Sequence, residues 1–338
     1  HDVPELKFFV CRQEGGAAMM AEADAKLTGR PGVCMVTRGP GATNASAGIH
    51  IAHQDSTPLV LLVGQVARSM MGREAFQEID FRHMYGPLSK WVAQIDDPAR
   101  IPEMMARAFS IASSGRPGPV VLALPEDMLT ETSDVIDAVP VRTSQAYPDP
   151  ESIRAFSEKL QASERPMLIV GGGGWDTTAV ENLKVFAERT KIPIVTSFRR
   201  QDYFDNTHSS FAGYLGIGVN PKLAQRVQDA DLLIVLGARL GEVPTSGYSL
   251  LKIPVPDQSL VHVHADPEEL GRVYQAQLPI NADPRAMAAV LQDVSVGDGA
   301  RRWADWLKDA NNDCQTYSRP IKTPGNLQMS EVMAHLQK

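Results

Sequence analysis

Leu6-Lys7-Phe8-Phe9-Val10-Cys11-Arg12-Gln13-Glu14-Gly15-Gly16-Ala17-Ala18-Met19 decides how this chain is read. The apolar run from Phe8 to Cys11 reads as a strand, and Gly16 to Thr28 as a helix of small residues. Glu14 falls at the junction between them. The next apolar run, Val33 to Thr37, ends in Gly39-Pro40-Gly41-Ala42-Thr43-Asn44. A carboxylate at one strand–helix junction, beside a glycine turn at the next, is where open α/β sheets take ligands. The bland reading of Glu14 is an acid in a first helical turn, complementing the helix dipole.

Outward from this point the pattern repeats. Helices are expected over Ala42–Asp55 and Ile101–Ser113, with strands over Leu59–Val63, which leads into Gly64-Gln65, and Val120–Leu124. Short, wholly apolar strands between helices predict a parallel sheet covered on both faces. Pro140, Pro148 and Pro150 then break the rhythm and mark a linker. A second series follows, with strands at Met167–Val170, Ile192–Val195, Leu232–Gly237 and Leu260–His264. Its helices are expected at Val180–Thr190, Leu223–Gln228 and Pro284–Leu291. The fold class is therefore α/β, with two doubly wound parallel-sheet domains. The boundaries read 1–135, a linker at 136–152, a central domain at 153–296 and a connector at 297–338.

At 338 residues the chain exceeds one core, and 43% hydrophobic with 22% charged residues is ordinary globular composition. A net charge of -7 without a basic patch argues against a nucleic-acid partner. No apolar run is long enough for a membrane span. Three cysteines, with no CxxC and no His-x-x-x-His, read as buried thiols in a reducing cytoplasm and give no metal site. The start at His1-Asp2-Val3-Pro4 and the uncapped helix from Met329 to Leu336 both read as cut ends, so the chain is expected to be part of a longer protein.

Several blocks carry a family resemblance. Arg12-Gln13-Glu14-Gly15-Gly16-Ala17, Gly29-Arg30-Pro31-Gly32-Val33-Cys34, Thr37 to Asn44, Gly64-Gln65-Val66 and Arg116 to Pro125 resemble the pyrimidine-binding domain of thiamine diphosphate enzymes. Glu74-Ala75-Phe76-Gln77-Glu78-Ile79-Asp80 and Lys90-Trp91 are similar to the acetohydroxyacid synthase branch. The resemblance implies that Glu14 hydrogen-bonds a ring nitrogen of the cofactor's aminopyrimidine and favours the tautomer that deprotonates the thiazolium. A carboxyl group in a dry interface would do this with a raised pKa. It implies further that Gly39, Pro40 and Asn44 pack on the pyrimidine, that Phe76 and Gln77 line the substrate channel, and that Arg116 contacts FAD. Gln65 reads equally as a cofactor contact or a loop-capping amide. Phe76 has a packed-aromatic alternative, and Lys90 a solvated one.

The glycine run Gly171–Gly174 fails as a dinucleotide fingerprint, because Asp176 stands where a small residue must pack. The synthase branch holds FAD in this domain, but Phe198-Arg199-Arg200-Gln201-Asp202, Gly213 to Ile217 and Gly237 to Glu242 depart from its pattern. FAD, another nucleotide and an empty site all stay open. Gly297-Asp298-Gly299 with Asn311-Asn312 imitates the family's magnesium motif. The spacer is too short, and the two pieces are expected to be a helix N-cap and a helix stop around one helix, Arg301–Asn311. The true motif is expected in a third domain beyond Lys338. Glu126 stands where the synthases carry a lysine.

The resemblance implies thiamine diphosphate-dependent decarboxylation of a 2-oxo acid, pyruvate first, with carboligation as in acetolactate synthase. Another lyase, oxidase or acyltransferase of the same cofactor is the rival, and a non-catalytic nucleotide-binding module the alternative from another class. It also implies Mg2+, and a homodimer or tetramer with the site between chains. Both cofactor components would need the third domain for tight binding, so this piece alone is expected to be inactive.

Overall fold

The computed structural model describes residues 3–322 and 324–336. His1, Asp2, Thr323 and the last two residues fall outside them. The chain forms two compact units, His1–Ala146 and Tyr147–Lys338.

The first unit contains, in order, α1 (Glu14–Thr28), β1 (Gly32–Val36), α2 (Pro40–Asp55), β2 (Leu59–Gln65), α3 (Phe81–Tyr85), β3 (Trp91–Gln94), α4 (Ile101–Ser113) and β4 (Pro119–Pro125). Its four strands are all parallel, in the order β1-β2-β4-β3. Leu59, Leu61 and Val63 of β2 meet Ala42, Ala45, Ile49 and Ala52 of α2 on one face. Val60 of β2 and Val120 and Leu122 of β4 meet Met104, Ala108 and Ala112 of α4 on the other. Both faces are thus apolar, which explains the unbroken hydrophobic strands.

Small residues let α1 lie directly on α2. A Cβ on Gly48 would fall 2.5 Å from the Ala18 Cβ, and one on Gly15 would fall 3.0 Å from the Asn44 carbonyl. The bare start of α1 therefore serves helix packing first.

The strand expected at Phe8–Cys11 does not form. Phe8, Phe9 and Val10 are exposed, and no strand of the described residues pairs with them. An apolar run becomes a strand only where a neighbour takes its N–H and C=O groups. β3 was not foreseen, being four residues long with one buried position.

The second unit contains α5 (Pro150–Ala162), β5 (Pro166–Val170), α6 (Thr177–Thr190), β6 (Ile194–Ser197), β7 (Phe211–Leu215), α7 (Pro221–Asp229), β8 (Leu232–Leu236), β9 (Ser259–His264), β10 (Leu278–Asn281), α8 (Pro284–Leu291), α9 (Gly299–Arg302), α10 (Ala304–Tyr317) and α11 (Met329–Leu336). The six parallel strands run β10-β9-β8-β5-β6-β7. α5 begins inside the stretch read as linker. Pro150 is its first residue, and the Asp149 carboxylate accepts the Ser152 N–H at 2.9 Å, which is helix-start chemistry. β10 holds Pro279, tolerated because the strand is at the sheet edge.

The first half of the stretch expected to be a connector, as far as the end of α10, packs on the central domain, while α11 buries none of its residues. Trp303 is fully buried and donates from Nε1 to the Ser163 carbonyl at 3.0 Å. Asn311 and Asn312 do not stop a helix, since α10 runs on to Tyr317. The Asn311 amide donates to the Phe211 carbonyl at 2.8 Å, a tertiary bond that sequence spacing does not reveal. Asp298 precedes α9 without a side-chain capping bond, and its carboxylate accepts from Arg302 instead. The single expected helix is two, divided at Trp303.

Candidate active site

The carboxyl ends of β1, β2 and β4 lie side by side, with Val36 opposite Val63 and Val63 opposite Ala123. α2 starts directly after β1, and α1 packs on it, so Glu14 is carried to this edge.

Glu14 is the first residue of α1. Gln13 precedes it in an extended conformation, and its Oε1 accepts the Gly16 N–H at 2.7 Å, fixing where the helix begins. The Glu14 carboxylate is half-buried. Its Oε2 accepts a hydrogen bond from the Asn44 amide at 3.0 Å. That bond, helped by the backbone N–H of Glu14 itself, holds the carboxyl below its ordinary pKa. The raised pKa expected of a dry interface is therefore corrected for this chain. Partial exposure leaves too little desolvation to outweigh a donor aimed at the charged form.

The turn beside it is built around missing side chains. Gly39 has φ +59° and ψ -114°, and a Cβ there would meet the Gln77 Cβ at 2.6 Å. Pro40 opens the helix, and Thr43 donates from its hydroxyl to the Gly39 carbonyl at 3.0 Å. A Cβ on Gly41 would fall 2.8 Å from Thr37 Cγ2 and 3.6 Å from Glu14 Oε1. Glu14, Gly39, Pro40 and Asn44 are thus one constellation, with Gln77 against its glycine.

Phe76 and Gln77 sit on a strained loop. Glu74 and Gln77 adopt φ of +55° and +67°. The Glu78 carboxylate braces them by accepting N–H groups from Gly72 at 2.6 Å and Ala75 at 3.0 Å, and these bonds lower its pKa. Phe76 is 80% exposed, so the packed-aromatic reading is wrong. The buried amide of Gln65 donates to the Ile79 carbonyl and accepts from the Val66 N–H, both at 2.9 Å. It ties the far end of this loop to β2.

Arg116 is elsewhere. It donates to Ser56 Oγ at 2.9 Å and to the His53 carbonyl at 2.6 Å. Both lie at the carboxyl end of α2, so the length of that helix, about 24 Å at 1.5 Å per residue, separates Arg116 from the turn at Gly39. A cation there also complements the helix dipole. Lys90 donates to the carbonyls of Ile111 and Ser114 and so caps α4.

Sequence reasoning missed two residues of this edge. The buried Tyr85 hydroxyl donates to the Ala42 carbonyl, and burial pushes its pKa up, so it fixes the first turn of α2 from below. Its signal was the Phe81-x-x-x-Tyr85 spacing behind Asp80, whose carboxylate caps α3. Arg38, after β1, pairs with Glu126, after β4, at 2.7 Å. The departure at Glu126 is therefore matched by an arginine, where a lysine would have met like charge. Among the described residues no group of three or more His, Cys, Asp or Glu side chains could hold a metal ion. No described helix is long and apolar enough to cross a membrane.

The chain matches two family models and several known proteins. Residues 1–84 match the family model for the thiamine pyrophosphate enzyme N-terminal TPP binding domain, and residues 153–293 that for the thiamine pyrophosphate enzyme central domain. The chain is 33% identical over 317 residues to the acetolactate synthase large subunit of Corynebacterium glutamicum, covering 90% of this chain and 50% of that one. It is 34% identical over 298 residues to a probable acetolactate synthase large subunit of Methanocaldococcus jannaschii, covering 86% and 49%. It is 32% identical over 315 residues to the large subunit of acetolactate synthase isozyme 3 of Escherichia coli, covering 91% and 54%. The chain spans about half the length of the curated relatives it matches. With both domain models matched in order on two parallel α/β sheets, the chain belongs to the thiamine pyrophosphate enzyme family.

Proposed function

We propose that the intact protein is a thiamine diphosphate-dependent enzyme that decarboxylates a 2-oxo acid, pyruvate first, and passes the two-carbon unit to an acceptor, as an acetolactate synthase does. The observation that carries this reading is the Glu14–Asn44 hydrogen bond beside the bare Gly39–Gly41 turn. The cofactor when bound supplies the electron sink for carbanion chemistry.

This chain's own residues fit its pyrimidine end. Glu14 holds or yields a proton at a ring nitrogen, and Asn44 fixes which oxygen faces the ring. Gly41 gives a flat ring access to the helix start, because a side chain there would crowd Thr37 and approach Glu14. Gln65 braces the loop that carries Phe76 and Gln77 to the substrate side. The diphosphate and its Mg2+ are assigned to the part of the longer relatives that this chain does not span. A homodimer or tetramer in the cytoplasm is the expected form.

One observation favours a second reading inside the class. The Arg38–Glu126 pair at the strand ends replaces the synthase lysine, which points to a different acceptor for the two-carbon unit.

The test is Glu14→Gln in the complete protein, assayed with a panel of 2-oxo acids. Turnover should fall by roughly 10² to 10⁴-fold, the range for loss of a positioned proton carrier, while the melting temperature stays put. Undiminished turnover would remove Glu14 from the mechanism, and the product formed from pyruvate separates the two readings.

A further inference from the structure

The strand order of the second unit reverses between β5 and β8. From β5 the chain moves outward to β6 and β7, then returns to β8 on the other side. In open α/β sheets the ligand crevice lies outside the carboxyl ends of such a pair. Gly171–Gly174 follow β5, and Gly237-Ala238-Arg239 follow β8. This is where the resemblance implies FAD.

The two glycine turns are packed on each other. A Cβ on Gly172 would lie 1.9 Å from the Gly237 carbonyl oxygen, and one on Gly237 would lie 2.7 Å from that of Gly171. A Cβ on Gly171 would lie 1.9 Å from Ser197 Oγ. Gly171, Gly172 and Gly237 are therefore needed for contact within the domain, and their bare backbone is accounted for without a ligand. Side chains from the loop after β6 cover the turn. Arg200 Nε and the Tyr203 hydroxyl both donate to the Gly172 carbonyl, at 2.6 and 2.9 Å. Trp175 Nε1 donates to the Gly171 carbonyl at 2.8 Å, and its ring lies 5.3 Å from that of Tyr203.

The electrostatics oppose a pyrophosphate as well. A dinucleotide places its phosphates at the N-terminus of the helix that follows the glycine turn. Here that helix is α6, and the Asp176 carboxylate already accepts its Ala179 N–H at 2.8 Å. A second carboxylate, Asp283, lies 3.7 Å from a Cβ built on Gly174. Arg285 answers Asp283 with bonds of 3.0 and 3.1 Å, so its charge is already matched by a carboxylate. Arg239 pairs with the buried Glu269 at 3.3 Å.

We infer that this crevice is closed by the chain's own Trp175, Arg200, Tyr203 and Asp176, and that the central domain serves as a scaffold without FAD or any other phosphate-bearing dinucleotide. The inference concerns the second unit alone and stands independently of the role given to Glu14.

The test is a thermal melt of the full chain, followed by circular dichroism, with and without FAD or ADP at about 100 µM, enough to register a Kd near 10 µM. Absorbance of the purified chain between 350 and 500 nm, about the flavin range, is recorded first. The expected result is a cooperative melt, which shows the chain is folded, with an unchanged midpoint and no flavin band. A yellow protein that releases FAD on acid treatment, or a midpoint that climbs with either nucleotide, would overturn the inference. Neither outcome bears on thiamine diphosphate, so the two readings fail separately.

Discussion

Asn44 donates from Nδ2 to Oε2 of Glu14 at 3.0 Å, joining the start of α2 to the start of α1 across 30 residues of chain. Two helix N-termini therefore converge on one carboxylate. Both carry a partial positive charge, and one supplies an amide donor, so the charged form of Glu14 is favoured at rest.

That arrangement predicts the effect of Asn44→Ala. Loss of the amide removes the first cause of the lowered Glu14 pKa, so the carboxyl should titrate at a higher pH than in the unaltered chain. Carbon-13 NMR of the labelled Glu14 carboxyl, followed from pH 7 to about 3, measures this against the usual glutamate range. An identical midpoint in both proteins would show that Asn44 does not set it.

Gly39→Ala should destabilise the first unit by about 2 kcal/mol or more, from a left-handed backbone and an overpacked contact together. The added Cβ would press on the Gln77 Cβ at 2.6 Å, and Gln77 is itself held at φ +67°. Urea denaturation gives the value. A cost near zero would mean that the Gly39 turn can relax away from the 72–80 loop.

Thiol labelling should divide the cysteines. Burial pushes the Cys34 thiol up to about 11, and it raises that of Cys314 as well. Cys11 is half-buried on the exposed segment before α1. Iodoacetamide at pH 8 should therefore label Cys11 in the native chain, with the other two following only on unfolding. Fast native labelling at Cys34 would contradict the packing of β1 against α1 and α2.

The second unit should lose stability as pH falls below about 6.5, the ordinary histidine value. Burial pushes the His262 ring down to about 4, where its Nε2 stays bonded to the Ala238 carbonyl at 3.0 Å. Between these values the unfolded chain binds a proton that the folded chain refuses, so stability rises with pH through that window. The full effect between pH 7 and 4 is roughly 3 kcal/mol, to be read as the difference in slope between the native chain and His262→Gln. Equal slopes would place the pH dependence on other groups.

The α/β class was legible because it rests on local patterns, whereas Glu14 meets the Gly39 turn through the packing of α1 on α2 and without the strand expected before it. Apolar strands between helices predict a buried parallel sheet, and a glycine run after a strand predicts a tight turn. The uses of Arg116 and Lys90 were not legible. Each reaches backbone carbonyls at the end of a helix, and a backbone partner leaves no mark in side-chain identity. The Arg38–Glu126 pair was hidden for a related reason, since its partners lie 88 residues apart and meet only because β1, β2 and β4 end level.

Sequence alone determined the long buried strands and most of the helices between them, and that one acid opens a small-residue helix. Tertiary structure decided the rest. The Phe8–Cys11 run stayed out of the sheet although, among the described residues, β1 and β3 each keep an unpaired edge, so apolar character alone did not decide pairing. α9 and α10 joined the central core, where Trp303 is buried and bonds the Ser163 carbonyl. The Glu14 pKa moved down because its value depends on which donor faces the carboxylate, and that is set by how closely α1 and α2 can approach.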